Sequence, residues 1–196
     1  MKKLIIIISF LIFALLLSAN VLEQFEEFKR DISRQTEQFK NANKYLNENR
    51  VSREYSVGDT IVFWAWDFSV MPPLWIQPAA TCRAVGDHCY IFVADDQWDV
   101  HMDQADIDII LPYLEDYTMN STEYGAIEMD ELLFGPIPDE LDNDPKIIVF
   151  YSEIGSYMGT VFHGYFSAFN QITEQQAQQM NPPGHSNECE MIYITC

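Results

Sequence analysis

Four histidines, four cysteines and one acidic turn are the side chains of this sequence best suited to chemistry. The histidines are His88, His101, His163 and His185; none is followed by glutamate, and no two stand three or four residues apart. A catalytic zinc needs three protein ligands and an open position. On a helix, two of those ligands come as His-Glu-x-x-His. With that spacing missing, the histidines are expected to be surface or hydrogen-bonded groups. The acidic turn offers harder ligands. Asp139, Asp142, Asn143 and Asp144 crowd oxygen atoms onto one loop, which suits Ca2+. The distal bidentate glutamate of a calcium loop is missing, and Asp and Asn are also ordinary turn formers. Calcium ligation and a plain turn are the two readings.

No Gly-x-Ser-x-Gly elbow, phosphate-cradling glycine loop or local Cys/His nucleophile pair occurs. The cysteines are Cys82, Cys89, Cys189 and Cys196, which allow three connectivities. Cys82 and Cys89 bracket a turn-like stretch around Gly86, so the sequence predicts a hairpin closed by a Cys82–Cys89 disulfide. Cys189 and Cys196 bracket a strand-like run. If extended, it holds them ~23 Å apart, against a Cα limit of about 7 Å for bonding, and they are not expected to pair. The spacings are not those of a zinc ribbon.

The elements that must position these groups lie in a chain of 196 residues with 11 Lys+Arg against 30 Asp+Glu, a formal charge of −19. Apolar residues make up 48%, too many for a disordered acidic tail. The negative balance argues against nucleic-acid partners, which need clustered Lys and Arg, and against anionic lipid. Lys2 and Lys3 precede an apolar run over 4–17 and then Ser18-Ala19-Asn20, the three-part pattern of a secretory signal peptide. The run falls short of the ~20 residues that span a bilayer. Residues 1–19 therefore read as a leader cleaved near Ala19, leaving a secreted chain without stable membrane association. An uncleaved N-terminal anchor is the alternative.

Phe25, Ile32, Phe39 and Leu46 fall seven apart, with Phe28, Gln35 and Ala42 between them. Residues 20–54 thus read as a long amphipathic helix with an imperfect seam, one that packs on its own domain or, in the alternative, serves as a stalk or pro-segment. From 55 to 196 the pattern is α+β, with an antiparallel or mixed sheet of five or six short strands. The aromatic, β-branched run 60–68 reads as one buried strand. Residues 79–85 and 89–94 read as the hairpin. Asp103 caps a helix whose Ile107, Ile110, Leu111 and Leu114 share a face, with a kink or restart expected at Pro112. Residues 146–151 read as a central strand, Thr173 to Gln176 as a capping box, and 191–194 as a last strand. The expected core includes Phe63, Trp64, Ile91, Val93, Ile148, Phe150 and Ile192.

Several segments in order carry a family likeness. They are Val57-Gly58-Asp59-Thr60 with Phe63-Trp64, then 80–93, and Glu131-Leu132-Leu133-Phe134-Gly135. Pro138-Asp139 through Ile147, Gly164-Tyr165-Phe166, and Ser186-Asn187-Glu188 with 190–194 complete the set. Together they resemble the region before the active site in secreted bacterial zinc metallopeptidases of the hyicolysin type, which have a zincin-like fold. In that family the last strand is followed by a His-Glu-x-x-His helix, which this sequence does not contain. The resemblance implies a non-catalytic N-terminal portion of a secreted zinc endopeptidase, its domain incomplete at the C-terminus. Zinc and polypeptide substrates would belong to a full-length relative, and no catalytic position carries over. The alternative is a self-sufficient extracellular binding or structural module without catalysis.

Overall fold

The protein is described by a computed structural model that covers residues 53–139 and 141–196, together with Arg30. The predicted leader and nearly all of the predicted 20–54 helix lie outside the described residues. Among the described residues, no helix is long and apolar enough to cross a membrane.

The fold is α+β, built on a six-stranded mixed sheet. The strands are β1 (Thr60–Val62), β4 (Ala79–Val85), β5 (Cys89–Ala94), β6 (Ile147–Ser152), β10 (Met191–Thr195) and β9 (Gly164–Phe166), in that spatial order. β5, β6 and β10 run parallel, and the outer pairings are antiparallel. Alternation along the central strands divides their side chains between two cores. Tyr90, Phe92, Ile148, Phe150, Met191 and Tyr193 point to one face. Ile91, Val93, Val149 and Tyr151 point to the other. Because both faces are covered, β5 and β6 read as unbroken apolar runs.

Helix α1 (Gln104–Glu115) and helix α2 (Ala126–Phe134) follow β5 in the chain, and Ile107 and Ile127 seal the second face. Asp103 caps α1 as expected, accepting from the Ala105 N–H at 2.7 Å while Asp106 answers to the Asp103 N–H. α1 does not restart at Pro112; it runs through that residue and ends three residues later. Thr173 and Gln176 form the second capping box, opening the short helix α3 (Glu174–Gln178).

The run 60–68 is two elements. β1 ends at Val62, and β2 (Ala65–Asp67) pairs with β3 (Leu74–Ile76) in a separate hairpin, as β7 (Ser156–Tyr157) does with β8 (Thr160–Val161). The reason lies in side chains that replace the ladder. Asn187 takes both backbone groups of Trp64, and the Tyr165 hydroxyl accepts the Trp66 N–H at 2.8 Å. Trp64 and Ile192, both expected in the core, are partly buried, whereas Phe63, Ile91, Val93, Ile148 and Phe150 are fully enclosed.

Candidate functional site

The acidic turn is organised around its own backbone. Asn143 adopts the left-handed conformation at φ 55°, which Asn tolerates better than most residues. The Asp144 N–H donates to Asp142 Oδ1 at 3.3 Å, and the Lys146 N–H to Asp144 Oδ1 at 3.1 Å. The Tyr90 hydroxyl donates to Asp144 Oδ2 at 2.7 Å. Asp142 and Asp144 are buried, while Asp139 and Asn143 are exposed. Burial, with the Asp144 charge beside it, raises the Asp142 pKa. Ca2+ takes six to eight oxygens; here the inward oxygens face backbone N–H groups and a phenol. The four residues form a turn at the entry to β6, in which backbone N–H groups and the Tyr90 phenol engage Asp142 Oδ1 and both Asp144 oxygens.

The structure does not bring Cys82 and Cys89 together. Val85 stands across from Tyr90, and in that register Cys82 faces Phe92 and not Cys89. A bulge between Cys82 and Ala84 then changes the face presented. Cys82 joins the core on one side of the sheet and Cys89 the core on the other. All four cysteines are free thiols, and only Cys196 is exposed. Burial pushes the Cys82 thiol up to about 11 and the Cys89 and Cys189 thiols higher still. A thiol reagent added to the native protein is expected to label Cys196 first, though slowly because its thiol is mostly protonated, and the other three only on unfolding. Fewer than four thiols titrated in denaturant, or rapid native labelling of Cys82 or Cys89, contradicts this placement.

The histidines are dispersed. His88 Nδ1 lies 2.8 Å from Glu115 Oε2, and His101 Nδ1 lies 2.8 Å from Gln97 Oε1. His185 Nδ1 lies 2.7 Å from Glu174 Oε1 while the ring stacks on Trp64 at 3.6 Å. The His163 carbonyl accepts the Thr195 N–H. Among the described residues, no three His, Cys, Asp or Glu side chains converge as a metal site.

Compared with known proteins, the chain matches no family model and no curated protein.

The site that the topology does build is a cleft of about 260 Å3 where β5, β6 and β10 end. Gln97 follows β5, Glu153 and Ser156 follow β6, and Thr195 and Cys196 close β10; His101 reaches in beside Gln97. Ligands of open parallel sheets gather at such carboxyl ends. Partial burial, with Asp96 and Glu153 nearby, pushes the Cys196 thiol up to about 11, so at neutral pH it is a protonated, weak nucleophile. A carboxylate, an imidazole and hydroxyls suit hydrogen bonding to a polar or cationic ligand. Sequence reasoning missed the cleft because its residues are scattered over a hundred positions. The available signal was the two unbroken apolar runs, which mark central strands, with Gln97 and Glu153 placed just past their ends.

Proposed function

We propose that this chain is the non-catalytic N-terminal portion of a secreted zinc metalloendopeptidase, supplying the sheet on which the zinc-binding helix and a peptide substrate rest. The observation that carries the reading is the shared ending of three parallel strands at one polar cleft. It stands beside the ordered resemblance of segments from 57 to 194 and the leader-like residues 1–19. The chain's own residues would bind and orient at that cleft. The chemistry of peptide hydrolysis requires a metal-bound water and a positioned general base, which these residues do not provide.

The purified mature chain with added zinc is expected to leave unfolded casein intact, with and without a chelator. Chelator-sensitive cleavage overturns the non-catalytic reading. Reading the transcript beyond codon 196 separates the two roles. A His-Glu-x-x-His helix encoded within on the order of one hundred codons, a typical domain's length, supports the peptidase portion. Its absence over that span assigns the chain to a self-sufficient extracellular binding module, a reading favoured by a cleft with no activated nucleophile.

A further inference from the structure

The cleft where β5, β6 and β10 end is built around one buried polar side chain. Gln97 is 6% exposed, yet it lines the cleft. Its backbone is fixed: the N–H donates to the Ala94 carbonyl, and its own carbonyl accepts the N–H groups of Val100, His101 and Met102. The side-chain Oε1 lies 2.8 Å from His101 Nδ1, which holds the oxygen end of the amide. Among the described residues the amide N–H2 has no partner, so it is left to the cleft. A buried donor of this kind calls for an acceptor. Ser156 and Thr195 add hydroxyls that donate or accept as a ligand requires. The floor therefore asks for an oxygen.

The rim asks for a positive charge. Glu153 and Asp96 are both exposed, and both stand close enough to Cys196 for their charges, after burial, to raise its thiol. Neither carries an ion pair among the described residues. From residue 84 onward Lys146 is the one Lys or Arg. It precedes β6, ~23 Å from Glu153 at the rise of a strand, and its ammonium donates to the Gly86 carbonyl. Arg83 is engaged by Asp95 at 3.7 Å and by the Trp98 ring at 4.0 Å.

Size narrows the ligand further. At about 260 Å3 the cleft is smaller than the roughly 300–1,000 Å3 of drug-sized sites, which suits a single amino-acid residue. One wall is the β7–β8 hairpin, from which Val161 offers a small apolar surface. That wall is set at its base, where a Cβ on Gly155 would lie 2.8 Å from the Ser69 nitrogen.

We propose that the cleft binds an α-ammonium group together with its neighbouring carbonyl oxygen, the oxygen accepting from Gln97 Nε2 and the ammonium facing Glu153 and Asp96. A free amino acid and the first residue of a polypeptide both carry that pair. A lysine or arginine side chain brings donors alone and leaves the Gln97 N–H2 unanswered. A divalent cation finds too few ligands, since no three His, Cys, Asp or Glu side chains converge among the described residues. The inference rests on the cleft as a binding site and not on a downstream zinc helix.

Backbone amide chemical shifts of the intact mature chain, titrated with alaninamide near neutral pH in a chelator, test it. Saturable shifts are expected at Gln97, Glu153, Ser156 and Thr195, with half-saturation on the order of millimolar. N-acetylalaninamide lacks the charge and isopropylamine lacks the oxygen; each is expected to bind about fivefold more weakly or worse. Glu153→Gln is expected to weaken alaninamide about threefold, the share of an exposed charge pair, and Asp96→Asn/Glu153→Gln further. Both carboxylates are exposed, so these variants keep the fold. Absent shifts at the four residues, equal binding of isopropylamine or N-acetylalaninamide, or affinity unchanged in Asp96→Asn/Glu153→Gln overturns the proposal. Alanine against dialanine distinguishes the sources: tighter alanine assigns a free amino acid, tighter dialanine a polypeptide terminus. None of these results bears on the transcript beyond codon 196, so this inference and the peptidase reading fail separately.

Discussion

Asn187→Ala is expected to lower the unfolding free energy by about 2–4 kcal/mol, the range for breaking a partly buried hydrogen-bond network. The Asn187 amide works as a strand neighbour for Trp64. Its Oδ1 accepts the Trp64 N–H at 2.8 Å, and its Nδ2 donates to the Trp64 carbonyl at 2.9 Å. The same Nδ2 donates to the Tyr193 hydroxyl at 2.8 Å, and that hydroxyl donates to the Trp64 carbonyl at 2.9 Å. Asn170 completes the group, giving its Nδ2 hydrogen to the Tyr193 oxygen and accepting the Asn187 N–H. Alanine leaves a backbone N–H, a phenol and one amide short of partners at once, and water can replace only part of the loss. Tyr193→Phe, which keeps the stacked contact with Tyr165 at 4.2 Å, is expected to cost less, about 1–2 kcal/mol. The double variant should fall short of the sum, since both changes break one network. Urea unfolding followed by tryptophan fluorescence measures all three. A loss under ~0.5 kcal/mol for Asn187→Ala would mean that Trp64 is held by something else.

That network also shows where sequence reading stops. Local signals were legible: the hairpin strands at 79–85 and 89–94 match β4 and β5, and both capping boxes are formed. The unbroken apolar runs at β5 and β6 mark central strands because their cause, burial on two faces, is written in consecutive residues. What was illegible depends on distant partners. Nothing near 60–68 says that Asn187, more than a hundred residues on, will take the place of a strand and split the run. The α2 helix was missed because its exposed Leu132, Leu133 and Phe134 blur the amphipathic period. Cys82 and Cys89 are kept apart by the register of β4 on β5 and the bulge between Cys82 and Ala84, since one residue of slip reverses the face of a strand. The acidic turn could be read two ways from composition. Only the placement of Tyr90 and the following backbone N–H groups decides what its oxygens face.

Glu115→Gln is expected to destabilise the protein by about 2–3 kcal/mol near pH 5.5, with a smaller effect at alkaline pH. Glu115 ends α1 and plugs the β4–β5 turn. Its carboxylate accepts the backbone N–H groups of His88 and Cys89 at 3.0 and 3.1 Å, the Cys89 thiol at 3.1 Å and the His88 ring at 2.8 Å. Gly86 makes the fit possible, because a Cβ there would lie 2.0 Å from Glu115 Oε1. Burial alone would raise the Glu115 pKa; the hydrogen bonds from Cys89 and His88 outweigh it, and the pKa falls below its ordinary value near 4.5. The Glu115 hydrogen bond, against a smaller opposing effect of burial, lifts His88 above its ordinary 6.5. Stability from the carboxylate is therefore in place above about pH 4.5 and is lost as pH falls through its lower folded value. Stability from the imidazolium is in place below about pH 6.5 and is lost as pH rises through its higher folded value. The pair contributes most between those limits. Above them the ion pair is gone, but the two backbone N–H bonds persist, so the variant's deficit shrinks without vanishing. Glutamine turns an amide N–H2 towards donors and supplies one acceptor where two are used. His88→Asn separates the contributions: it should flatten the alkaline limb of the stability profile and shrink the acid limb without abolishing it, because the Cys89 and His88 backbone N–H bonds to Glu115 remain. Chemical denaturation of the three proteins across pH 4 to 9 reads both limbs. A Glu115→Gln deficit that stays constant over that range would show that the carboxylate acts through shape alone, with no share of its effect carried by charge.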